Sequence, residues 1–112
     1  MSTEVYFMDR RTVAELIKDC YDEMYTGPER YKRKADVDWA SYQQVAVEQL
    51  CKYILTCPYL SQDVSVYYSM IGSYKHKMYE GLHRSMTESS QQMFLAAIEV
   101  ISEIQEIFYA ME

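Results

Sequence analysis

The side chains able to do chemistry are few, and their spacing argues against a catalytic or metal centre. His76 and His83 are seven residues apart. On a helix they share a face but stand about 10 Å apart along its axis, too far to chelate one ion. Cys51 and Cys57 fall on different helical faces, and no C-x2-C or H-x3-H spacing accompanies them. Nucleophilic chemistry finds no G-x-S-x-G elbow, and Gly27, Gly72 and Gly81 are too dispersed to cradle a phosphate. The cysteines read as packed thiols and the histidines as surface residues. A non-enzyme is expected, with no catalytic residue, no metal and no cofactor.

Charged side chains offer two opposite uses. Glu15, Asp19 and Asp22, and again Glu99, Glu103 and Glu106, recur about 5 to 6 Å apart along their helices, close to phosphate spacing. Such stripes are ordinarily solvated faces. Their alternative use is competition for a basic groove, the mode of an acidic helical inhibitor of a nucleic-acid-handling protein from a phage or mobile element. The stretch "RYKRK" instead sets Tyr31 among Arg30, Lys32, Arg33 and Lys34, a stacking ring between phosphate-binding cations. A second cluster comprises Tyr74, Lys75, Lys77, Tyr79 and Arg84. Nucleic-acid or phosphate binding through residues 30–34 is thus a further alternative. Opposing it are a sequence pI near 4.9 and the adjacent Asp36 and Asp38, which favour a charged linker. A helix-turn-helix reader fares worse, because its recognition helix would present Ser61, Gln62, Asp63 and Ser65, with no base before Lys75. Nucleic acid is not the expected partner.

Tyrosine points to a protein surface. The chain has 12 tyrosines against 3 phenylalanines and 1 tryptophan. Phenylalanine packs a core without a hydroxyl to satisfy, whereas tyrosine suits places dry at one end and wet at the other, protein interfaces among them. Eight methionines add adaptable apolar surface. The expectation is a protein–protein interaction module that self-associates as a two-fold homodimer. Its interface is expected on Tyr67, Tyr68, Val100, Ile107 and Met111.

These residues must be positioned by helices, because apolar residues recur at three-four spacing in four segments. Val13, Leu16, Ile17, Cys20 and Met24 mark a helix over 10–25, capped by Asp9, with Met8 and Val13 as a hydrophobic staple and Gly27–Pro28 as its stop. A second helix, over 38–56, carries Trp39, Tyr42, Ala46, Leu50, Tyr53 and Ile54, with Val47, Cys51 and Leu55 widening the stripe. So broad an apolar arc places it centrally. Asp36 or Asp38 is its expected cap.

Val64, Tyr67, Tyr68, Ile71, Tyr74 and Met78 predict a third helix over 62–81, with Gly72 inside it as a local weakness or a point of close approach. Phe94, Ala97, Ile98, Ile101, Ile104 and Phe108 predict a fourth over 86–111, capped at Ser85 or Thr87. "EVYFM" is the one strand-like fragment and reads as an extended lead-in, since it has no visible partner. The expected fold is all-α, a small four-helix bundle forming a single domain over 1–112.

Composition sets the remaining bounds. The net charge of −6 is uneven: residues 1–29 carry seven acids and three bases, 30–84 five and eight, and 85–112 five and none. An odd number of cysteines and a start without a leader pattern imply a cytoplasmic, reducing setting. The longest apolar run, Met93–Ile98, is far short of the roughly 20 residues that span a bilayer, so no membrane association is expected.

Overall fold

Asp9 ends a short extended segment and starts a helix. Its carboxylate accepts the backbone N–H of Arg11 at 2.7 Å, satisfying one of the donors a first helical turn leaves open. The same device recurs at Asp63, which accepts the N–H of Ser65 at 2.9 Å. In a computed structural model that describes residues 7–24, 37–58 and 61–111, these caps lie between strand and helix in the order β1 (Phe7–Asp9), α1 (Arg10–Met24), α2 (Val37–Leu55), β2 (Ser61–Asp63), α3 (Val64–Arg84) and α4 (Glu88–Met111). The four helices pack against one another as an all-α, bundle-like globule.

Contacts between helices fix their directions. Arg10 of α1 meets Cys57 just beyond α2, Cys51 meets Ala14, and Tyr21 meets Ala40, so α1 and α2 are antiparallel. On the other side Tyr68 lies against Tyr109 and Lys75 against Gln105, so α3 and α4 are antiparallel too. The pairs join through α2 and α4, where the Gln43 amide reaches the Ala96 carbonyl at 3.4 Å. As its broad apolar arc predicts, α2 contacts each of the other helices.

The core is largely aliphatic, with Tyr67 and Phe108 the fully buried aromatic side chains among the described residues. Val13 and Ile17 from α1, Leu50 and Ile54 from α2, Tyr67 and Ile71 from α3, and Ile101, Ile104 and Phe108 from α4 are fully buried. Burying each side chain of this size contributes roughly 1.5 to 3 kcal/mol before conformational entropy is set against it. Among the described residues Gln43 is the buried polar exception. Its bond to Ala96 removes the penalty of an unpaired amide.

Three expectations are corrected. The lead-in is not partnerless: Phe7 pairs with Asp63, Met8 with Gln62 and Asp9 with Ser61 in an antiparallel ribbon. "SQD" is too short and polar to read as a strand, and tertiary contacts impose the pairing. Tyr67 donates its hydroxyl to the Met8 carbonyl at 2.9 Å, and Arg10 donates to the Cys57 carbonyl at 2.6 Å. The third helix therefore starts at Val64, because Asp63 is its cap, and it runs through Gly81 to Arg84. Ser85 closes α3, donating to the Gly81 carbonyl, and does not cap α4. Thr87 is that cap, accepting the Ser90 N–H at 3.1 Å.

Both helical glycines in α3 lie beneath α4 side chains. A Cβ on Gly72 would come within 3.1 Å of the Gln105 amide, and one on Gly81 would overlap the Phe94 ring. Close approach is thus the reason for Gly72. The expected stop at Gly27–Pro28 and the caps at Asp36 or Asp38 lie outside the described residues or side chains.

Candidate protein-binding face

The seam between α3 and α4 gathers the exposed aromatic side chains into two rows. On α3, Tyr68, Gly72, Lys75 and Tyr79 are spaced by four, three and four residues; on α4, Leu95, Ile98, Ser102, Gln105 and Tyr109 are spaced by three, four, three and four. Each row follows one helical face. The rows border the same seam, because Tyr68 stacks tilted against Tyr109 at 6.0 Å and Lys75 donates to the Gln105 carboxamide at 3.1 Å. Tyr109 is 66% exposed, Tyr79 and Leu95 are each 41% exposed, and Tyr68 is half-buried. Apolar rings therefore occupy both ends of the seam, around a waist of small or polar side chains at Gly72, Lys75, Ser102 and Gln105.

This arrangement redistributes the expected interface residues. Tyr67 and Val100 are fully buried in the core and present nothing to a partner. Sequence periodicity placed them on apolar stripes without showing that the fold itself fills those positions. Ile107 is 38% exposed, but a two-residue offset from Tyr109 turns it about 200° away around α4. It faces the opposite flank from Tyr68. The Met111 side chain lies outside the described residues. Of the four that are described, Tyr68 alone lies on the seam, while Tyr79, Leu95 and Tyr109 join it unforeseen. Their four-three spacing across two antiparallel helices was the available signal.

The charged stripes stay on separate helices. Glu15, Asp19 and Asp22 are exposed on α1; Glu99 and Glu106 are exposed and Glu103 half-buried on α4. Since α1 rests mainly on α2, and α4 on α2 and α3, the stripes form two surfaces. Arg30, Tyr31, Lys32, Arg33 and Lys34 lie outside the described residues. Of the second basic cluster, Lys77 sits over the Tyr53 ring at 4.9 Å, and Tyr53 in turn packs against Tyr74 at 5.9 Å. That cation is engaged in an intrachain contact.

A groove of about 290 Å³ lies between α1 and α2, lined by Lys18, Tyr21, Asp22, Gln44, Val47, Glu48, Cys51 and Lys52. Its two lysines are matched by two carboxylates. Burial raises the Cys51 thiol pKa, with Lys18 lowering it and Glu48 raising it, and the thiol donates to the Ala14 carbonyl at 3.4 Å. A thiol held protonated is a poor nucleophile and a poor metal ligand. Cys57 is buried, as is Cys20, whose thiol pKa is raised by burial and then by Glu23 and Asp19. His76 pairs with Glu80 at 3.1 Å, and among the described residues no three His, Cys, Asp or Glu side chains could hold a metal ion. Among them, too, no helix is long and apolar enough to cross a membrane.

No protein-family model matches the chain, and comparisons with curated proteins and with solved structures return no match.

Proposed function

We propose that this protein is a non-enzymatic protein-binding module that self-associates through the α3–α4 face. The observation that carries this reading is the Tyr68–Tyr109 pair, which holds a 66% exposed ring in place beside a half-buried one. An aromatic side chain already packed on one edge loses little freedom when a partner covers the other, so its burial returns more of its apolar contribution. Tyr79 and Leu95 add exposed apolar surface at the far end of the seam, and tyrosine is among the residues enriched at protein interfaces. Three free thiols fit a reducing, cytoplasmic setting.

The test is the mass in solution as a function of concentration, for the full chain and for Tyr68→Ser. Self-association predicts a concentration-dependent rise to twice the chain mass, weakened at least about tenfold in Kd by the loss of one interface aromatic. A mass that never leaves the single chain would refute it.

A further inference from the structure

The groove between α1 and α2 has an electrostatic direction. On α1 its lining charges run Lys18 then Asp22, and on α2 they run Glu48 then Lys52. Each pair is four residues apart, about 6 Å along its helix. The two sequence orders are opposite, but the helices are antiparallel, so the order in space is the same. Both lysines lie toward the end where Arg10 meets Cys57, and both carboxylates toward the end where Tyr21 meets Ala40. Helical side chains lean toward the N-terminus of their own helix, which draws the two lysines level with each other and the two carboxylates likewise. Each lysine is within reach of a carboxylate on its own helix, yet among the described residues none of the four forms an ion pair.

Between the charged ends the floor is apolar. Val47 is buried, while the Tyr21 ring and the Cys51 thiol are half-buried and face the groove. The volume of about 290 Å³ stands at the lower bound of small-molecule pockets, so the matching ligand is small. It must also carry both signs of charge, one at each end, with an apolar body between them.

The length of the groove's charge pattern narrows the class. Within one free amino acid the ammonium and carboxylate stand less than about 4 Å apart, whereas two extended residues span at most about 7 Å. A longer peptide would carry its terminal charges past the ends of the pattern. Gln44 lines the groove one turn beyond Glu48, where its carboxamide can donate to the first peptide carbonyl. We propose that the groove binds a dipeptide with an apolar side chain, its carboxylate on Lys18 and Lys52 and its ammonium on Asp22 and Glu48. No lining residue lies on α3 or α4, so this binding is independent of the self-association proposed above.

Titration of the isotope-labelled full chain with alanyl-leucine, followed through backbone amide NMR shifts, tests the assignment. Saturable shifts confined to residues 18–22 and 44–52 are expected. Acetylating the peptide's N-terminus or amidating its C-terminus removes one charge and should weaken binding at least about tenfold. The double variant Glu48→Lys/Lys52→Glu keeps composition and net charge but reverses the order on α2 alone, and it should lose as much affinity. All four charged side chains are exposed, and circular dichroism checks that the variant keeps its helices. Linear δ-aminovalerate, with the same two charges and no peptide bond, should bind more weakly because it offers nothing to Gln44. The absence of a saturable shift, or undiminished binding by the blocked peptides or by the reversed variant, overturns the site. Equal binding of δ-aminovalerate overturns the peptide class.

Discussion

The hydroxyl of Tyr67 donates to the backbone carbonyl of Met8 at 2.9 Å, across 59 residues of chain and inside the core. The bond fastens β1 to α3 and gives a buried phenol its acceptor. Tyr67→Phe removes the donor and leaves that carbonyl one partner short. The expected cost is about 1 to 2 kcal/mol, seen as a lower urea midpoint with an unchanged slope, together with faster amide exchange in the β1–β2 ribbon than in α4. Uniform loss of protection throughout would mean that the bond supports the whole core rather than the ribbon.

The two glycines of α3 should respond oppositely to alanine. At Gly72 the new methyl meets the far end of a partly exposed Gln105 side chain, which can shift, so the gain in helix propensity, up to about 1 kcal/mol, should largely be realised. At Gly81 the methyl overlaps the Phe94 ring and forces it out of the seam, costing roughly 1 to 3 kcal/mol. Paired thermal melts read the difference. Equal shifts for both variants would contradict the close approach at Gly81.

Alkaline pH should destabilise the fold before arginine or lysine titration is involved. Burial raises the pKa of Cys20, Cys51 and Tyr74 in the folded chain. A folded-state pKa above the unfolded one contributes stability that is fully present below the unfolded value and lost as pH rises through the folded value. The decline should begin above about pH 8.5 for the thiols and about pH 10 for the phenol. Denaturant midpoints at stepped pH check it, with Cys20→Ala/Cys51→Ala expected to flatten the earlier part of the fall. An equal fall in that variant would assign the effect elsewhere.

Ile107→Asp should leave self-association intact. The side chain is on the flank of α4 turned away from Tyr68 and Tyr109, and at 38% exposure it can place a carboxylate in water. Sedimentation velocity of the variant should match the wild type. Dissociation without unfolding would move the interface to that flank.

Helix existence was legible in the sequence because three-four periodicity is a local signal, and the central place of α2 followed from the width of its apolar arc. The ribbon was not legible. "EVYFM" is strand-like but "SQD" has no strand pattern of its own, and the pairing depends on Tyr67 and Arg10 reaching across the fold. The buried Gln43 was hidden for a related reason: a polar residue on an apolar arc looks like a boundary until the Ala96 carbonyl is seen to receive it. The candidate face was half legible. Tyrosine abundance motivates the proposed surface, but separating Tyr67 from Tyr68, or Ile107 from Tyr109, required knowing which neighbour fills each side of its helix.

Light scattering on a sizing column, for the wild type and for Tyr109→Asp, tests the account most directly. Tyr109 is 66% exposed, so aspartate there should leave the helical signal unchanged. The account predicts a wild-type mass approaching twice 13.3 kDa as concentration rises, and a variant that stays at the mass of one chain. A wild type that remains a monomer at every concentration, or a variant as dimeric as the wild type, would contradict it.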